Sequence, residues 1–411
     1  MVASRSSSRA APATTLPSGL DALLASKEMV LVCGSGGVGK TTVAAALGLA
    51  AAAEQGGRVL VLTVDPARRL ADALGVGKIG NVATRVPDDA LRSIGISPRG
   101  ELWAAMLDTK AGWDELISRH APDDKIRDSV LTNPLYQNIT SRFVHSHDYL
   151  AMEQLHEVHS SGTYDLVIVD TPPSRNALDV LDAPSRMVDF FGSRLLRWLT
   201  VPYRSRLFNL ASKPFNQVAD RVLGSRFLQD IAEFFILFQA MEGGFVRRAR
   251  EVEGLLGDPR TTFVVVTTLE ASPAHEAGYL VRELAERQYF VGAVIANRVM
   301  PAALTSRAAA ASATRLAAAT GDAELAAQVA GKLSRAKRGP RTVDAAVVDH
   351  VLARVAESFH DVALVATREA ERRAELAAVA PQVVDIEAQP SDVHDLAGLL
   401  AIVAGMREPA D

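Results

Sequence analysis

Residues 34–41 read G-S-G-G-V-G-K-T, and the rest of the chain is best read outward from them. The run satisfies the spacing Gly, four residues, Gly-Lys-Ser/Thr. An apolar stretch, MVLVC at 29–33, comes before it, and the alanine-rich stretch VAAALGLAAAAE at 43–54 comes after. That order predicts a strand, a tight loop and a helix. Glycines let such a loop close until its main-chain N–H groups point at phosphate oxygens, and the positive end of the next helix adds to the attraction. The residue types divide the work. Gly34, Ser35, Gly36, Gly37, Val38 and Gly39 are expected to make the cradle, with Lys40 reaching the β and γ phosphates, the Thr41 hydroxyl ligating Mg2+ and Thr42 completing the set.

A phosphate loop needs a second oxygen ligand near its metal. LVIVD at 166–170 supplies a buried strand that ends in a carboxylate, so Asp170 is expected at the metal. Asp65, in TVDPARRL at 63–70, ends another apolar run at the sheet edge where ligands sit in open parallel sheets. A carboxylate there can orient the attacking water or accept its proton, although Asp-Pro also opens ordinary turns.

Apolar runs of strand length recur at 29–33, 59–64, 166–169, 263–267, 291–297, 362–367 and 383–386, with helical patterns between them. This alternation predicts an α/β fold with a parallel sheet wrapped by helices. Strand signals stop between about 183 and 256, where Phe190, Phe191, Leu195, Leu196, Trp198 and Phe227 follow helical spacing. The expected organisation is a tail at 1–16, a sheet domain at 17–182 and 258–411, and a helical subdomain inserted at 183–257. Residues 302–330 are expected to be helical, and LSRAKRGPR at 333–341 to be an exposed basic loop.

Composition narrows the functional classes. The chain has 411 residues, 48% of them hydrophobic, which excludes general disorder. With 44 Lys and Arg against 48 Asp and Glu, the net charge of −4 argues against a nucleic-acid partner. One cysteine, Cys33, forms no intrachain disulfide and no thiolate zinc cage, which fits a reducing cytoplasm. No uncharged apolar run reaches the roughly 18 residues a membrane-spanning helix needs, so membrane contact is expected to be at most peripheral.

GSGGVGKTT at 34–42, DPARRLADALG at 65–75 and YDLVIVDTPPSRNALDVLDAP at 164–184 together resemble the ArsA-like ATPases. That family includes arsenite-pump ATPases and the ATPases that target tail-anchored membrane proteins. The resemblance implies a parallel-sheet P-loop NTPase of the deviant Walker A type that binds ATP and Mg2+ and works as a nucleotide-gated dimer. It places Asp65 in switch I and Asp170-Thr171-Pro172-Pro173 at the start of switch II. It further implies an adenine loop at Asn297, after VIA at 294–296 and before Pro301. An Asn amide can donate to and accept from the base edge at once. Glu270 resembles a family position without a definite role.

Two departures from the family matter. The usual member has Lys immediately before GGVGKT, where this chain has Ser35. That Lys normally reaches across the dimer to the partner's phosphates. Its absence leaves three outcomes open: weak hydrolysis, substitution by Arg68 or Arg69, or a heterodimer with a Lys-bearing ArsA-like paralogue in place of a homodimer. The second departure concerns sulfur. Arsenite needs a thiolate cluster and the tail-anchor branch often uses a Cys-x-x-Cys zinc site, so Cys33 alone argues against an arsenite-binding pump subunit.

Two further features have ordinary explanations. His145, His147, His156 and His159 cluster, but their spacing is not H-E-x-x-H, so a solvated or capped helix is expected, with Glu153 and His156 on it. Of 13 Phe, nine fall at 190, 191, 208, 215, 227, 234, 235, 238 and 245. They make either an internal helical core or, with Met187 and Met241, a groove for a hydrophobic or tail-anchored client.

Overall fold

Strand β1, Met29–Cys33, is apolar and buried along its whole length, as a strand covered by helices on both faces must be. In the computed structural model it lies in the interior of a nine-stranded sheet. The structure describes residues 18–64, 69–77, 79–106, 109–139, 146–171, 181–192, 234–335 and 342–407.

The other strands are β2 (Gly57–Thr63), β3 (Thr84–Arg85), β4 (Gly100–Met106), β5 (Leu166–Asp170), β6 (Thr261–Thr267), β7 (Val291–Val299), β8 (Val383–Glu387) and β9 (Met406–Arg407). Their order is β3-β4-β2-β5-β1-β6-β7-β8-β9. All pairings are parallel except the short edge pairs, β3 with β4 and β8 with β9. After β1 the chain first builds one half of the sheet, and from β6 onward it builds the other. The reversal therefore falls at β1, the place where such sheets open a ligand crevice.

Successive β1 side chains serve opposite layers. Val30 and Val32 pack with Val43 and Leu47 of helix Lys40–Glu54 and with Leu399 of helix Leu396–Gly405. Met29, Leu31 and Cys33 pack with Leu155, Val252 and Leu284, from helices Ser146–Ser160, Glu242–Leu256 and Ala271–Glu286. Among the described residues, no helix is long and apolar enough to cross a membrane.

The structure corrects the strand reading in two places. Residues 362–367 lie inside helix Ala345–Ala377, not in a strand. The run VALVAT has Asp361 before it but no Gly, Pro or Asn at either end, and its burial repeats at helical spacing, with Leu364 and Val365 exposed. A sheet-core strand would be buried throughout. Conversely, β4 was not anticipated, because its sequence GELWAAM mixes a charge and two alanines. Its burial comes from complete parallel pairing with β2. Residues 302–330 are helical as expected, in Ala302–Thr305, Arg307–Ala318 and the start of Ala323–Arg335. The expected basic loop begins later than 333, since Leu333 to Arg335 still belong to that helix, and 336–341 lie outside the described residues.

The described aromatics form an internal core. Phe234, Phe238 and Phe245 are buried with Trp113, Ile117 and Tyr149, and Met241 is 1% exposed among them, so it does not line a surface. The Phe238 and Phe245 rings are 5.3 Å apart. Helix Ala183–Gly192 contains Phe190 and Phe191, whose side chains are outside the described set, as are Leu195, Leu196, Trp198, Phe208, Phe215, Phe227 and Ile231.

Candidate functional site

The loop 34–39 leaves the carboxyl end of β1 and enters helix Lys40–Glu54. Gly34 and Gly39 have φ of 144° and 98°, in the region that disfavours side chains. A Cβ at Gly34 would collide with the Val266 carbonyl oxygen of β6, and one at Gly39 with the Asn297 amide. Both glycines thus let the loop nest against the neighbouring strand ends. Gly36 and Gly37 are exposed and have open space where side chains would project. The outer face of the loop is therefore bare main chain, as a phosphate cradle requires.

Lys40 is buried and folds back over the loop, its Nζ donating to the Ser35 carbonyl oxygen at 2.8 Å. Strand register brings Asp170 of β5 beside Val32 of β1 and Thr63 of β2. Its Oδ2 accepts from Thr41 Oγ1 at 2.6 Å and from Thr63 Oγ1 at 2.8 Å, and the residue is 1% exposed. Thr171 Oγ1 donates to the Val32 carbonyl at 2.9 Å, tying the start of the following segment to β1. The open glycine face, the buried ammonium and this hydroxyl–carboxylate set fit a polyphosphate with a hard divalent cation. Thr41 and Asp170 would hold Mg2+, whose chemistry when bound is to neutralise phosphate charge. Lys40 would move from the Ser35 carbonyl to phosphate oxygens, and the first-turn N–H groups beyond Gly39 would add to that contact.

Asn297 sits in β7, two residues before its end, and is buried against the loop. Its Nδ2 donates to the Val38 carbonyl at 2.8 Å, and its Oδ1 accepts from the Arg298 N–H at 3.0 Å. Pro301 caps the short helix Ala302–Thr305 next in sequence. Glu270 occupies the N-terminal cap of helix Ala271–Glu286 without a side-chain capping bond. Asp65, Arg68, Pro172 and Pro173 lie outside the described residues, while Arg69 opens helix Arg69–Leu74.

Two partners were not legible in the sequence. Thr63 meets Asp170 only through the pairing of β2 with β5. Glu276, on helix Ala271–Glu286, accepts a short hydrogen bond from the Ser35 hydroxyl and another from Ser272 Oγ at 3.1 Å. A carboxylate thus stands beside the loop residue that replaces the signature lysine.

Cys33 is buried, its S–H directed at the Val264 carbonyl at 3.7 Å, and burial pushes its thiol pKa up to about 12. It is an inert strand residue at neutral pH. The helix Ser146–Ser160 departs from the solvated reading. Glu153 is 4% exposed and accepts from Arg248 Nε at 2.9 Å, with His120 Nε2 at 3.2 Å. Arg248 Nη1 also donates to His156 Nδ1 at 2.6 Å. His159 pairs with Glu28 at 3.0 Å, while His145 and the His147 side chain are outside the described set.

Comparison with known proteins settles the lineage. A family model described as anion-transporting ATPase matches residues 27–318, from just before β1 through helix Arg307–Ala318. The chain belongs to the anion-transporting ATPase family. Among relatives of this family member, an uncharacterized protein of Streptomyces coelicolor is 30% identical over 278 residues, 66% of this chain and 62% of the relative. An ATPase ASNA1 homolog of Cryptosporidium parvum is 25% identical over 274 residues, 66% and 65% of the two chains. ATPase get3 of Aspergillus niger is 26% identical over 277 residues, 66% and 72%. The matched region thus spans less than two thirds of the first two relatives. In this family member the matched span contains the phosphate loop, Asp170 and Asn297, and it ends before helix Ala345–Ala377.

Proposed function

We propose that this chain binds ATP with Mg2+ at 34–42 and hydrolyses it in the cytoplasm, as a nucleotide-gated dimer whose helical subdomain at 183–257 handles a hydrophobic protein segment. One observation carries the reading: the Thr41–Asp170 pair, joined at 2.6 Å, lies at the mouth of a bare glycine loop on the carboxyl edge of β1. Family membership supports the ATPase chemistry. In this scheme Lys40 binds the terminal phosphates, Thr41 and Asp170 hold the metal, and Asp65 orients the attacking water. Asn297 and Pro301 receive the adenine. The amide already spends one N–H on Val38, and its second N–H stays available to a base. Loss of the γ-phosphate would release the segments after Asp65 and Asp170 and so reset the helices.

A second reading is favoured by Ser35 and its bond to Glu276. With a carboxylate where family members place a cation, a homodimer stabilises transition-state charge poorly. The chain would then be a weakly hydrolysing regulatory or scaffold subunit that pairs with a Lys-bearing paralogue. Steady-state ATP turnover of the purified chain, alone and mixed with such a paralogue, separates the two. Strong turnover alone sinks the second reading, and turnover only in the mixture sinks the homodimeric one. Client handling is tested by trapping Asp65→Asn with ATP and identifying what co-purifies. Recovery of nucleotide with no accompanying protein removes that part of the reading.

A further inference from the structure

Helix Ala345–Ala377 has 33 residues, about 50 Å of helix. Its C-terminal part is anchored on the sheet, Arg373 Nε bonding the Asp385 carboxylate at 2.9 Å and Arg372 Nη1 the Leu269 carbonyl at 2.7 Å. Its N-terminal part buries one face, with Val348 packing on Ala326 and Ala330 of helix Ala323–Arg335. A strip beside that face is left exposed among the described residues, and it is apolar. Val347, Val351, Val355 and Val365 are 57%, 52%, 39% and 42% exposed, and a shallow groove of about 280 Å³ runs beside Val351, Val355 and Ser358.

The spacing along this face is not scattered. Val351, Val355, Ser358, Val362 and Val365 follow one another at intervals of four, three, four and three. Over two heptads that is the spacing of a two-stranded coiled-coil seam. Arg354 and Asp361 fall one heptad apart on one flank of the seam. The other flank carries Leu352 and Phe359, partly buried toward the chain's own helices.

We propose that this face pairs with the same face of a second copy of the chain, antiparallel, with the two-fold axis passing between Ala356 and Glu357. In that register Val351 of one copy layers against Val362 of the other, and Val355 against Ser358. Each flank meets its own equivalent, so Arg354 of one copy faces Asp361 of the other, twice by symmetry. A parallel pair would set the charged flank against the Leu352 and Phe359 flank and leave both charges unmatched. The Arg354 guanidinium is already extended on the surface, pairing with Glu357 in its own chain at 2.6 Å, so little rearrangement separates it from an acidic partner. Ser358, layered against Val355 on either side of the axis, weakens the seam. This contact uses nothing from the phosphate loop and forms without nucleotide, which distinguishes it from the ATP-gated contact proposed above.

The test is sedimentation equilibrium of the full chain without nucleotide, with Lys40→Ala as a companion. Both are expected to show a reversible dimer. Val351→Glu with Val362→Glu should shift the dissociation constant at least about 100-fold toward monomer while ATP affinity and helical circular dichroism stay unchanged. Arg354→Asp and Asp361→Arg should each weaken the dimer, and the two together should restore it, an outcome a merely structural role would not give. For orientation, cysteine variants Val351→Cys and Val362→Cys should cross-link when mixed and not when alone. A chain monomeric at every concentration, a dimer unaffected by the glutamates, or cross-links from Val351→Cys alone each overturns the proposal. So does a monomer whose valines instead carry it onto anionic phospholipid vesicles.

Discussion

Lys40 shows how a single side chain can be held ready by the backbone that needs it. Its ammonium is buried yet satisfied by the Ser35 carbonyl 2.8 Å away, so no ligand is needed to fold the loop. Lys40→Ala should therefore leave the fold intact and weaken ATP binding by roughly 1.5–3 kcal/mol, about 10- to 150-fold, from lost charge-assisted bonds. Titration calorimetry checks this, and unchanged affinity would misplace the phosphate site. His156 carries a different prediction. Burial first, then the Arg248 guanidinium, lowers its pKa below the ordinary 6.5. The unfolded chain then binds the proton more readily than the folded one, so this contribution to stability is present above pH 6.5 and is lost as the pH falls below it. Urea midpoints should fall between about pH 7.5 and about pH 5.5, and His156→Gln should flatten that slope. An identical slope in the variant would exclude His156 as the cause.

Helices Thr109–His120, Ser146–Ser160 and Glu242–Leu256 meet around one carboxylate, Glu153, which pairs with Arg248 and hydrogen-bonds with His120 beside an aromatic core. Removing one partner of a buried pair strands the other charge. Arg248→Ala should cost about 3–5 kcal/mol of unfolding free energy, and Arg248→Met combined with Glu153→Gln should cost much less. Equal losses in denaturant unfolding would show the pair to be solvated. Helix Ala345–Ala377 makes the complementary point about elements. Its apolar run at 362–367 has strand length, yet helix continues because flanking contacts at Val348 and Leu376 hold both ends. A six-residue apolar run cannot distinguish the two periods on its own.

Across the whole molecule, the nucleotide site draws on strands far apart in sequence, so ligand binding is coupled to global stability. At MgATP about 100 times its dissociation constant, unfolding should become harder by about 2.7 kcal/mol, visible as a raised thermal midpoint. At the same MgATP concentration Lys40→Ala should cut that rise to roughly 0.3–1.4 kcal/mol. A wild-type midpoint indifferent to MgATP contradicts the site.

Much of this architecture could be read along the chain, because its signals are local. The glycine spacing at 34–39, the burial of β1 and the terminal carboxylate of β5 depend on neighbours within a few residues, and six of the seven anticipated strands stand in the sheet. Strand β4 could not be read this way, since its burial depends on β2. Nor could the contacts of Asp170 with Thr63, Ser35 with Glu276 and Asn297 with Val38, whose members are 107, 241 and 259 residues apart. Side-chain types and short-range periodicity determined the phosphate loop and the α/β class, because a tight glycine turn and an apolar strand are favoured by local sterics and solvent alone. Which oxygen meets which donor at the sheet edge was decided only when parallel pairing brought distant strand ends into one plane. Register is a property of the assembled sheet, and no segment carries it by itself.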